Sequence, residues 1–489
     1  MLRHLAPFAL SLFAAITSMA GPSGEPPNIL FIAVDDLRPE IGAYGTRAIT
    51  PHIDALAASG LKFDRAYCNQ AVCGASRVSL MTGLYPEHTG ERSFHVTDWR
   101  KRWESTVTLN QHFKAHGYQT VGLGKIYHNS NGPGVDPENW TEWIPVRGTQ
   151  YANPESREDM RVTKSAAPGG KPRRRGPSTE SGNAPDDPYA DGQRARVGAA
   201  KLTELAKAEK PFFLAVGFTK PHLPFVAPKK FWDLYKRDDF AMPPNRGVPP
   251  GYPDYARESR AGELRSYSDI PTGISPTAFP EALNQRLIHG YHACVSYMDD
   301  NVGRLLEALE KSGKADETIV LFWADHGWKL GDHSSWCKHT NFECDTRVPL
   351  IVRLPEPTAA RGTTQSLVEL VDLYPTLCDL AGLEKPAHLQ GRSFLPTLKK
   401  AETPHREFAY SSYPHRRKNA APVTGHSLRT ADFRYTEWWE KGTDKVVGSA
   451  LTNLTEDPGE TTSALPESKS EAENLSQKLR ARALEVRKN

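Results

Sequence analysis

The sequence predicts an α/β fold in which a large mixed, mostly parallel sheet is sandwiched by helices and followed by a smaller C-terminal α+β subdomain. Five short apolar runs have the composition of buried strands, amphipathic stretches lie between them, and the pattern changes after about residue 400. Alternating strands and helices are typical of a sheet covered by helices on both faces. A chain of 489 residues is long enough for one large domain of this kind and a satellite.

The apolar runs predict the strands of the main sheet. They cover residues 28–34, 119–123, 212–218, 318–324 and 349–353. Short runs of this composition are typical of parallel strands that are buried on both faces. Two amphipathic stretches, 193–208 and 283–311, predict long helices between the strands.

Two polar segments interrupt this alternation. Residues 152–190 are rich in Pro, Gly and Ser and contain the basic run 171–175, so we expect a surface excursion or loop there. The basic run is open to two interpretations, a solvated loop or a contact with a polyanion, and the solvated loop is favoured. Residues 243–281 are proline-rich and are expected to be irregular.

The C-terminal part of the chain predicts a separate small unit. Runs that contain aromatic residues at 405–413, 427–439 and 445–454 predict short strands, and 467–487 predicts an amphipathic helix. We therefore expect a main domain over 21–400 and a subdomain over 401–489, built from a small antiparallel sheet and a helix.

Residues 1–20 have the features of a signal peptide. Arg3 gives the start a positive charge, residues 5–16 are apolar, and small residues at 18–20 suit a cleavage site. The sequence therefore predicts an exported protein, periplasmic or secreted. No other segment approaches ~18 consecutive apolar residues, so no membrane span is predicted.

The composition limits the classes of molecule that the protein is expected to bind. The net charge is only +3, and no motif with interleaved basic and aromatic residues indicates a nucleic-acid partner. The six cysteines include no Cys-x-x-Cys pair and are too few for a disulfide framework in a chain of this length. Cys337 and Cys344 could form one local bridge, and unpaired buried thiols are expected for most of the others.

Ionisable residues follow the carboxyl ends of four predicted strands, the edge at which ligands bind in open α/β sheets. In strand order they are Asp35 and Asp36, Lys125 and His128, His222, and Asp325 and His326. Each ending alone has an ordinary explanation as a helix cap or a turn. Because all four would meet at one edge of one sheet, their coincidence favours a functional site.

The acidic members of this set predict a metal site. Asp35, Asp36 and Asp325 offer the hard oxygen donors that calcium requires. Three carboxylates crowded together would repel one another or take up protons unless a cation lay between them. His326 is a more ordinary ligand of zinc, so ligand type alone leaves the metal open.

The remaining members are cationic or can become so. With two residues from elsewhere in the chain they form the set Arg77, Lys125, His128, His222 and Lys338. Such a ring would hold a tetrahedral oxyanion and stabilise the charge that grows during group transfer.

A candidate nucleophile lies in the run Cys73-Gly-Ala-Ser-Arg77, which is followed by Leu80-Met-Thr-Gly83. A cysteine at the start of a helix-forming segment meets the positive end of the helix dipole, which suits the handling of an anion. A buried structural cysteine would explain Cys-x-x-x-Arg alone. The whole string resembles the signature of the sulfatase family, in which this cysteine is oxidised to formylglycine, although here the spacer has the additional residue Met81.

Other strings extend the resemblance over nearly the whole chain. They include Val34-Asp-Asp-Leu-Arg-Pro39, Val121-Gly-Leu-Gly-Lys-Ile-Tyr-His128, Lys220-Pro-His-Leu-Pro-Phe225 and Ala324-Asp-His-Gly-Trp-Lys-Leu-Gly331. These are similar to the iduronate-2-sulfatase members of the family in particular. The family belongs to the alkaline-phosphatase-like superfamily, in which a serine or threonine nucleophile accompanies phosphate esters and formylglycine accompanies sulfate esters.

The resemblance implies a role for each site residue. Asp35, Asp36, Asp325, His326 and the modified Cys73 would bind one Ca²⁺ ion. Arg77, Lys125 and His128 would steady the formylglycine hydrate, and His222 and Lys338 would hold the sulfate and the leaving oxygen. His222 would protonate the leaving alcohol and His128 would take a proton when sulfate is expelled. A sulfatase-maturating enzyme is the implied partner.

The implied substrate is a sulfated oligosaccharide or polysaccharide, with the 2-O-sulfate of a uronic acid as the ester. Trp328 could stack on a sugar ring or belong to the core, and both interpretations stay open. His339 stands where iduronate-2-sulfatase members have tyrosine, on the sugar-binding side. Ala75 replaces the proline of the commoner maturation motif and is associated with a radical-based maturase.

Two other functions remain alternatives. One is a phosphodiesterase or phosphonate monoester hydrolase of the same superfamily. The other is an inactive relative that only binds sulfated polysaccharide, although a binding module has no need of Cys73.

Overall fold

The computed structural model describes residues 26–93, 99–128, 135–165, 175–183, 186–257, 260–355 and 359–487. The predicted signal peptide therefore lies outside the described residues. Within them, no helix has the length and apolar character needed to cross a membrane.

The strands in chain order are β1 Asn28–Asp35, β2 Leu61–Tyr67, β3 Gln119–Gly124, β4 Glu142–Ile144, β5 Thr179–Gly182, β6 Phe212–Pro221, β7 Phe225–Pro228, β8 Thr318–Ala324, β9 Lys329–Leu330, β10 Trp336–Cys337, β11 Arg347–Arg353, β12 Gly362–Glu369, β13 Ala409–His415, β14 Val423–Arg429, β15 Phe433–Glu440 and β16 Val446–Asn453. The helices are α1 Pro51–Ser59, α2 Cys73–Thr82, α3 Pro86–Thr89, α4 Trp99–Arg102, α5 Leu109–Ala115, α6 Pro154–Ser165, α7 Ala190–Leu205, α8 Lys229–Trp232, α9 Glu281–Lys311, α10 Glu343–Thr346, α11 Leu373–Leu380, α12 Leu395–Lys399 and α13 Lys469–Glu485.

Eight strands form the main sheet, in the order β12-β2-β11-β8-β1-β6-β3-β4. β1 pairs in parallel with both β8 and β6, and β3 pairs in parallel with β6. β11 pairs antiparallel with β8 and β2, so it runs against the other strands. The predicted mixed, mostly parallel sheet is confirmed.

Helices cover both faces of the sheet. Phe31 of β1 packs on Phe213 of β6, and Phe213 packs on Phe113 of α5, which places α5 on that face. Val216 lies three residues further along β6 and therefore faces the opposite side. There it lies close to Gly198 of α7, which in turn approaches Leu305 of α9.

The strand predictions were correct in position but incomplete. All five predicted runs are strands, and 349–353 was wrongly expected to be parallel. Three strands of the main sheet escaped prediction. β2 carries charged residues within Leu61–Tyr67, β12 is polar along Gly362–Glu369, and β4 is only three residues long. None of them presents the continuous apolar run that indicates a doubly buried strand.

The segment 152–190 was expected to be a surface excursion or loop, and its described residues include regular structure that the sequence did not indicate. It contains α6 and β5, and β5 pairs in parallel with β7. Most of the basic run 171–175 lies outside the described residues. Residues 243–281 are irregular as expected, with only short 3₁₀ turns among the described positions.

The C-terminal unit is a four-stranded antiparallel sheet, β13-β14-β15-β16, with α13 packed against β14 and β15. The predicted strand 427–439 is in fact the end of β14, a turn, and β15. Leu428 and Tyr435 pair across this turn and share a core with Leu475 and Leu479 of α13. This amphipathic face explains why the helix was predictable.

One buried carboxylate joins the two sheets. Glu343, which begins α10, accepts hydrogen bonds from Tyr67 Oη of β2 at 2.8 Å and from Arg429 Nε of β14 at 2.8 Å. Its other oxygen accepts from Arg434 Nη2 of β15 at 2.8 Å. Although burial acts in the opposite direction, Arg429 and Arg434 lower the pKa of Glu343 to about 2.

The cysteines are all free thiols. Cys337 and Cys344 do not form the local bridge that their spacing allowed. Cys337 is buried at the end of β10 and Cys344 is half-buried in α10.

We expect Glu343→Gln to destabilise the protein by about 3 kcal/mol at pH 7, because Arg429 loses its carboxylate partner and Arg434 keeps only Glu460. Since the folded-state pKa lies below the ordinary value, the carboxylate stabilises the fold above about pH 4.5. This contribution is lost as the pH falls towards 2. The difference between wild type and variant in denaturant unfolding should therefore shrink over this range.

Glu407→Gln is the matched control, because Glu407 is two-thirds exposed and contacts only a surface lysine. Equal stabilities of the two variants at pH 7 would contradict the stabilising role of Glu343.

Candidate active site

The carboxyl ends of β8, β1, β6 and β3 meet at one edge of the sheet, because these four strands are neighbours and run in the same direction. Asp35 ends β1, and Asp325 directly follows β8. Lys125 follows β3, and its ammonium group contacts Asp35. His222 follows β6, and its Nε2 lies 4.0 Å from Asp35. The structure thus brings the predicted residues together.

The backbone of β3 and β6 is unusually close at this point. A Cβ atom on Gly217 would lie 2.2 Å from the carbonyl carbon of Lys125, and one on Gly124 would lie 2.1 Å from the carbonyl oxygen of Gly217. Gly124 also has φ +74°, which favours glycine. The two glycines therefore fix where Lys125 enters the site.

Cys73 is the first residue of α2, so the predicted helix begins at the cysteine itself. All ten residues of α2 are buried, and Gly83 ends the helix with φ +70°. Arg77 lies one turn further on and has no exposed surface. Cysteine and arginine consequently face the same edge of the sheet.

Arg77 joins α2 to three strands of the sheet. Its Nε donates to Asp325 Oδ2 at 2.7 Å, and its Nη2 donates to the carbonyl of Val34 in β1 at 3.2 Å. Its Nη1 donates to the carbonyls of Lys125 and Ile126 after β3. The guanidinium is thus held by buried acceptors and serves as a fixed positive charge beneath Cys73.

Asp325 and His326 are oriented towards the cysteine. Asp325 Oδ1 accepts from the backbone amides of Asp36 at 3.1 Å and His326 at 3.0 Å. His326 Nδ1 lies 2.9 Å from the carbonyl of Gly327, which assigns the proton to Nδ1. The lone pair of Nε2 then points towards Cys73 Sγ, 3.2 Å away.

These donors fit a bound cation. Ligand atoms of Asp35, Cys73, Asp325 and His326 all lie within 4.8 Å of one another. A second group with the same spacing consists of Asp35, Asp36, Cys73 and His222. Asp35 Oδ1 is buried and accepts no hydrogen bond from the protein. A cation between the carboxylates would satisfy that oxygen, and their hard oxygens are the donors that calcium prefers.

The cationic residues contact the carboxylates next to Cys73. Lys338 Nζ donates to both oxygens of Asp36, at 3.0 and 3.1 Å. His128 is half-buried at the end of the segment that follows β3. Burial and the nearby charge of Lys125 lower the pKa of His128 to about 3, so this ring is neutral.

The cysteine thiol is a poor nucleophile in this setting. Burial and the charge of Asp35 raise the pKa of Cys73 well above its ordinary value. The thiolate is the reactive form of cysteine, so an unmodified Cys73 has little of it. The arrangement therefore surrounds residue 73 with carboxylates, histidines and basic side chains without activating its thiol.

Asp36 is positioned by a strained backbone. It has φ +57°, a left-handed conformation that costs energy for a residue with a side chain. Cys337 and His339, which flank Lys338, also have positive φ values of +73° and +91°. The residues that meet across this part of the site are thus held in conformations that the surrounding packing imposes.

Trp328 lies beneath the site. It has no exposed surface, and its ring lies 4.9 Å from Lys338 Nζ and packs against Phe225. A sugar ring cannot stack on a side chain without an accessible face, so the structure places Trp328 as a support for Lys338 instead. His339 is half-buried, and its ring lies 5.6 Å from Tyr413 of β13.

Glu263 is a member of the site that the sequence did not indicate. Its carboxylate lies 2.7 Å from His222 Nε2 and 2.9 Å from Lys338 Nζ. It comes from the irregular segment 243–281, where neither a motif nor a strand end marks it. Only the fold brings this segment over the sheet edge.

A cleft of about 970 Å³ adjoins the site through Tyr413. Eight arginine and lysine residues line it against four acidic residues, so its charge is positive. The lining cations are Arg92, Arg257, Arg260, Arg416, Arg417, Lys418, Lys441 and Arg487. A surface of this kind suits a ligand with several anionic groups.

Family models match both parts of the chain. The model described as Sulfatase matches residues 27–383. The model described as N-sulphoglucosamine sulphohydrolase, C-terminal, matches residues 331–489.

Individual relatives cover most of the chain. Iduronate 2-sulfatase of Homo sapiens is 33% identical over 486 residues, which cover 84% of this chain and 84% of the human protein. A solved structure described as a 2-O GAG sulfatase superposes with a TM-score of 0.66 and 24% identity, covering 94% of this chain and 91% of that one. The phosphonate monoester hydrolase of Silicibacter pomeroyi has a TM-score of 0.70 and 22% identity, with coverage of 94% and 96%, which shows a shared fold.

We expect millimolar Ca²⁺ to raise the thermal midpoint of the wild-type protein and a chelator to reverse the effect, because a ligand that binds only the folded state stabilises it. Asp325→Asn should weaken calcium binding by about 100-fold or more, since it removes a charged ligand. Calorimetric titration of Ca²⁺ into the chelator-treated proteins measures the affinity of wild type and variant. Thermal unfolding with and without Ca²⁺ measures the midpoint.

Asp379→Asn is the control, because Asp379 pairs with Lys385 on the surface of α11 and should leave the affinity unchanged. Equal calcium affinities of the Asp325 and Asp379 variants would contradict the metal site.

Proposed function

The chain belongs to the sulfatase family, and from this membership we propose that it removes the 2-O-sulfate of a uronic acid in a sulfated glycosaminoglycan. As a sulfuric ester hydrolase it acts on a sulfate monoester. The proposal rests mainly on one observation: carboxylates and His326 cluster at Cys73, and Lys125, Lys338 and His222 lie against these carboxylates.

Residue 73 is the proposed nucleophile after its oxidation to formylglycine by a maturating enzyme. The raised pKa of the Cys73 thiol supports this, because the unmodified side chain is unsuited to attack. A hydrated formylglycine supplies one hydroxyl for attack on sulfur and a second for the release of sulfate. Ala75 favours a radical-based maturase as the partner.

The surrounding side chains would bind and orient the ester. Arg77 and Lys125 hold fixed positive charge beneath residue 73, where charge grows on the sulfate oxygens. Lys338 would bind a sulfate oxygen, and His222 would donate the proton of Nε2 to the leaving oxygen. His128, a neutral ring, would accept the proton released when sulfate is expelled.

Calcium is the proposed metal, held by Asp35, Asp36, Asp325 and His326 together with residue 73. The carboxylate oxygens support this choice over a softer metal. Bound calcium would supply positive charge next to the transferred sulfate.

The proposed substrate is supported by two similar proteins and by the positive charge of the cleft next to the site. The human relative is an iduronate 2-sulfatase, and a structural neighbour is described as a 2-O GAG sulfatase. The cationic cleft next to the site supports an anionic chain that extends beyond the hydrolysed ester. His339, which replaces a tyrosine of the iduronate-2-sulfatase members, would contact the sugar. The signal-like residues 1–20 support an exported enzyme.

The decisive experiment measures inorganic sulfate released from a panel of defined sulfated di- and oligosaccharides, with protein co-expressed with a maturase and conversion of Cys73 checked by peptide mass. Release only from a 2-sulfated hexuronate at the non-reducing end would support the proposed substrate. Release from another sugar would contradict the proposed substrate and would still support the proposed mechanism. An aryl phosphate diester and an aryl phosphonate in the same panel test the phosphate-ester alternative.

We expect Cys73→Ala to lower sulfate release by at least about 10⁴-fold, because the proposed nucleophile is absent. Cys344→Ala, which changes a half-buried thiol outside the site, should retain wild-type activity. Unchanged activity of the Cys73 variant would overturn the catalytic role of this residue.

We expect the double variant Arg416→Glu/Lys418→Glu to raise KM for a sulfated oligosaccharide about tenfold at low ionic strength, because both side chains are exposed at the cleft. KM for a small aryl sulfate should change by less than about twofold, since that substrate does not reach the cleft.

Lys399→Glu/Lys400→Glu makes the same change of charge at exposed positions outside the cleft and should leave both KM values unchanged. A parallel rise in KM for both substrates with the cleft variant would count against an extended anionic substrate.

A further inference from the structure

Glu263 bridges the two residues that the proposed mechanism assigns to the sulfate ester. Its Oε1 lies 2.7 Å from His222 Nε2 and its Oε2 lies 2.9 Å from Lys338 Nζ. His222 Nε2 is the atom that would meet the leaving oxygen, and Lys338 Nζ is the atom that would meet a sulfate oxygen. The two oxygens of one carboxylate thus cover both contacts at once.

The hydrogen-bond partners of His222 are consistent with this arrangement. Its Nδ1 lies 2.6 Å from the carbonyl oxygen of Leu223, which can only accept a hydrogen bond. Its Nε2 faces the Glu263 carboxylate, which in its charged form also only accepts. Both ring nitrogens therefore face hydrogen-bond acceptors, and His222 Nε2 and the ammonium of Lys338 lie on either side of one carboxylate.

A carboxylate and a sulfate ester present the same feature to this pair. Each offers two oxygens on one central atom, and each carries a negative charge that these donors recognise. Glu263 and the scissile ester therefore compete for the same two donor atoms.

We infer that Glu263 occupies the position of the sulfate ester in the substrate-free enzyme and must leave His222 and Lys338 when the substrate binds. This inference rests on the proposed function of the site. It makes Glu263 a positioning residue that keeps both donor side chains in place between turnovers, and that favours release of the product sulfate by returning to its place.

The attachment of Glu263 is compatible with such a movement. The residue lies between Gly262 and the short 3₁₀ turn Leu264–Ser266, outside the strands and long helices. Its side chain is 20% exposed, more than those of the two residues that it contacts. The side chains of His222 and Lys338 are more enclosed, with exposed fractions of 13% and 3% respectively.

The test measures the affinity of inorganic sulfate by calorimetry, with the calcium-loaded and matured protein, so that no turnover is required. We expect Glu263→Gln to bind sulfate about tenfold or more tightly than wild type, because a competing group that fills a site most of the time lowers the apparent affinity by that fraction. KM for the sulfate ester should fall by a similar factor.

The variant Glu263→Asp distinguishes competition for the two donor atoms from a general effect of the negative charge. Aspartate keeps the negative charge but is one methylene shorter and cannot reach both donors, so competition predicts tighter sulfate binding for this variant as well. Tightening in Glu263→Gln alone, with Glu263→Asp equal to wild type, would show a general charge effect and overturn the inference. Asp269→Asn removes a charge from the same segment, where Asp269 pairs with Arg286, and should leave the affinity unchanged.

Weaker sulfate binding or unchanged binding in both Glu263 variants would also overturn the inference, and Glu263 would then only orient its neighbours. If wild type and variants all fail to bind sulfate, the inference falls together with the proposed function of the site. If wild type binds sulfate and the variants bind no more tightly, the inference alone falls.

Discussion

The buried ion pair between Arg77 and Asp325 is the interaction on which the rest of the site depends. It joins the first turn of α2 to the end of β8, and the remaining guanidinium donors reach carbonyls at the ends of β1 and β3. Breaking a buried pair of this kind costs about 3–5 kcal/mol, because the remaining charge loses its partner in a medium of low polarity. Cys73 is therefore fixed relative to three strands by one side chain placed one helical turn away.

Charge balance explains how so many ionisable groups stay buried together. Asp35, Asp36 and Asp325 would repel one another, and each has at least one cation in contact: Lys125, Lys338 and Arg77 respectively. Asp35 Oδ1 still lacks a hydrogen bond, and this is the oxygen that a calcium ion would satisfy. Glu263 supplies a fourth carboxylate, which contacts His222 and Lys338 in addition to their aspartate neighbours. The protein thus provides a cation for each carboxylate, and Arg77 Nη2 lies 3.5 Å from Asp35 Oδ1 without a hydrogen bond to it.

The main sheet and the strand-end residues could be predicted because their signals are local. A continuous apolar run followed by Asp35 or Asp325 identifies both a buried parallel strand and the edge where its side chains meet. β2 and β12 lack such runs. β2 pairs with β11 and β12, and β12 pairs with β2 at the edge of the sheet, so pairing and packing in the fold rather than composition place these strands. Glu263 could not be predicted, since an irregular segment carries it over the site and only tertiary structure decides where that segment lies. Trp328 had two interpretations, and burial of its whole surface decides between them.

The position of Glu263 has a consequence for where binding energy must arise. If the ester has to displace a carboxylate from His222 and Lys338, the contacts at the reacting group add little net affinity, because one anion replaces another. The affinity for substrate must then come from contacts remote from the ester, and the cationic cleft beside Tyr413 is the surface that can supply them. Such a division disfavours small sulfate esters, which would have to displace Glu263 without compensation from the cleft. In that case a carboxylate in the site and cations outside it would together favour a long anionic substrate over a short one.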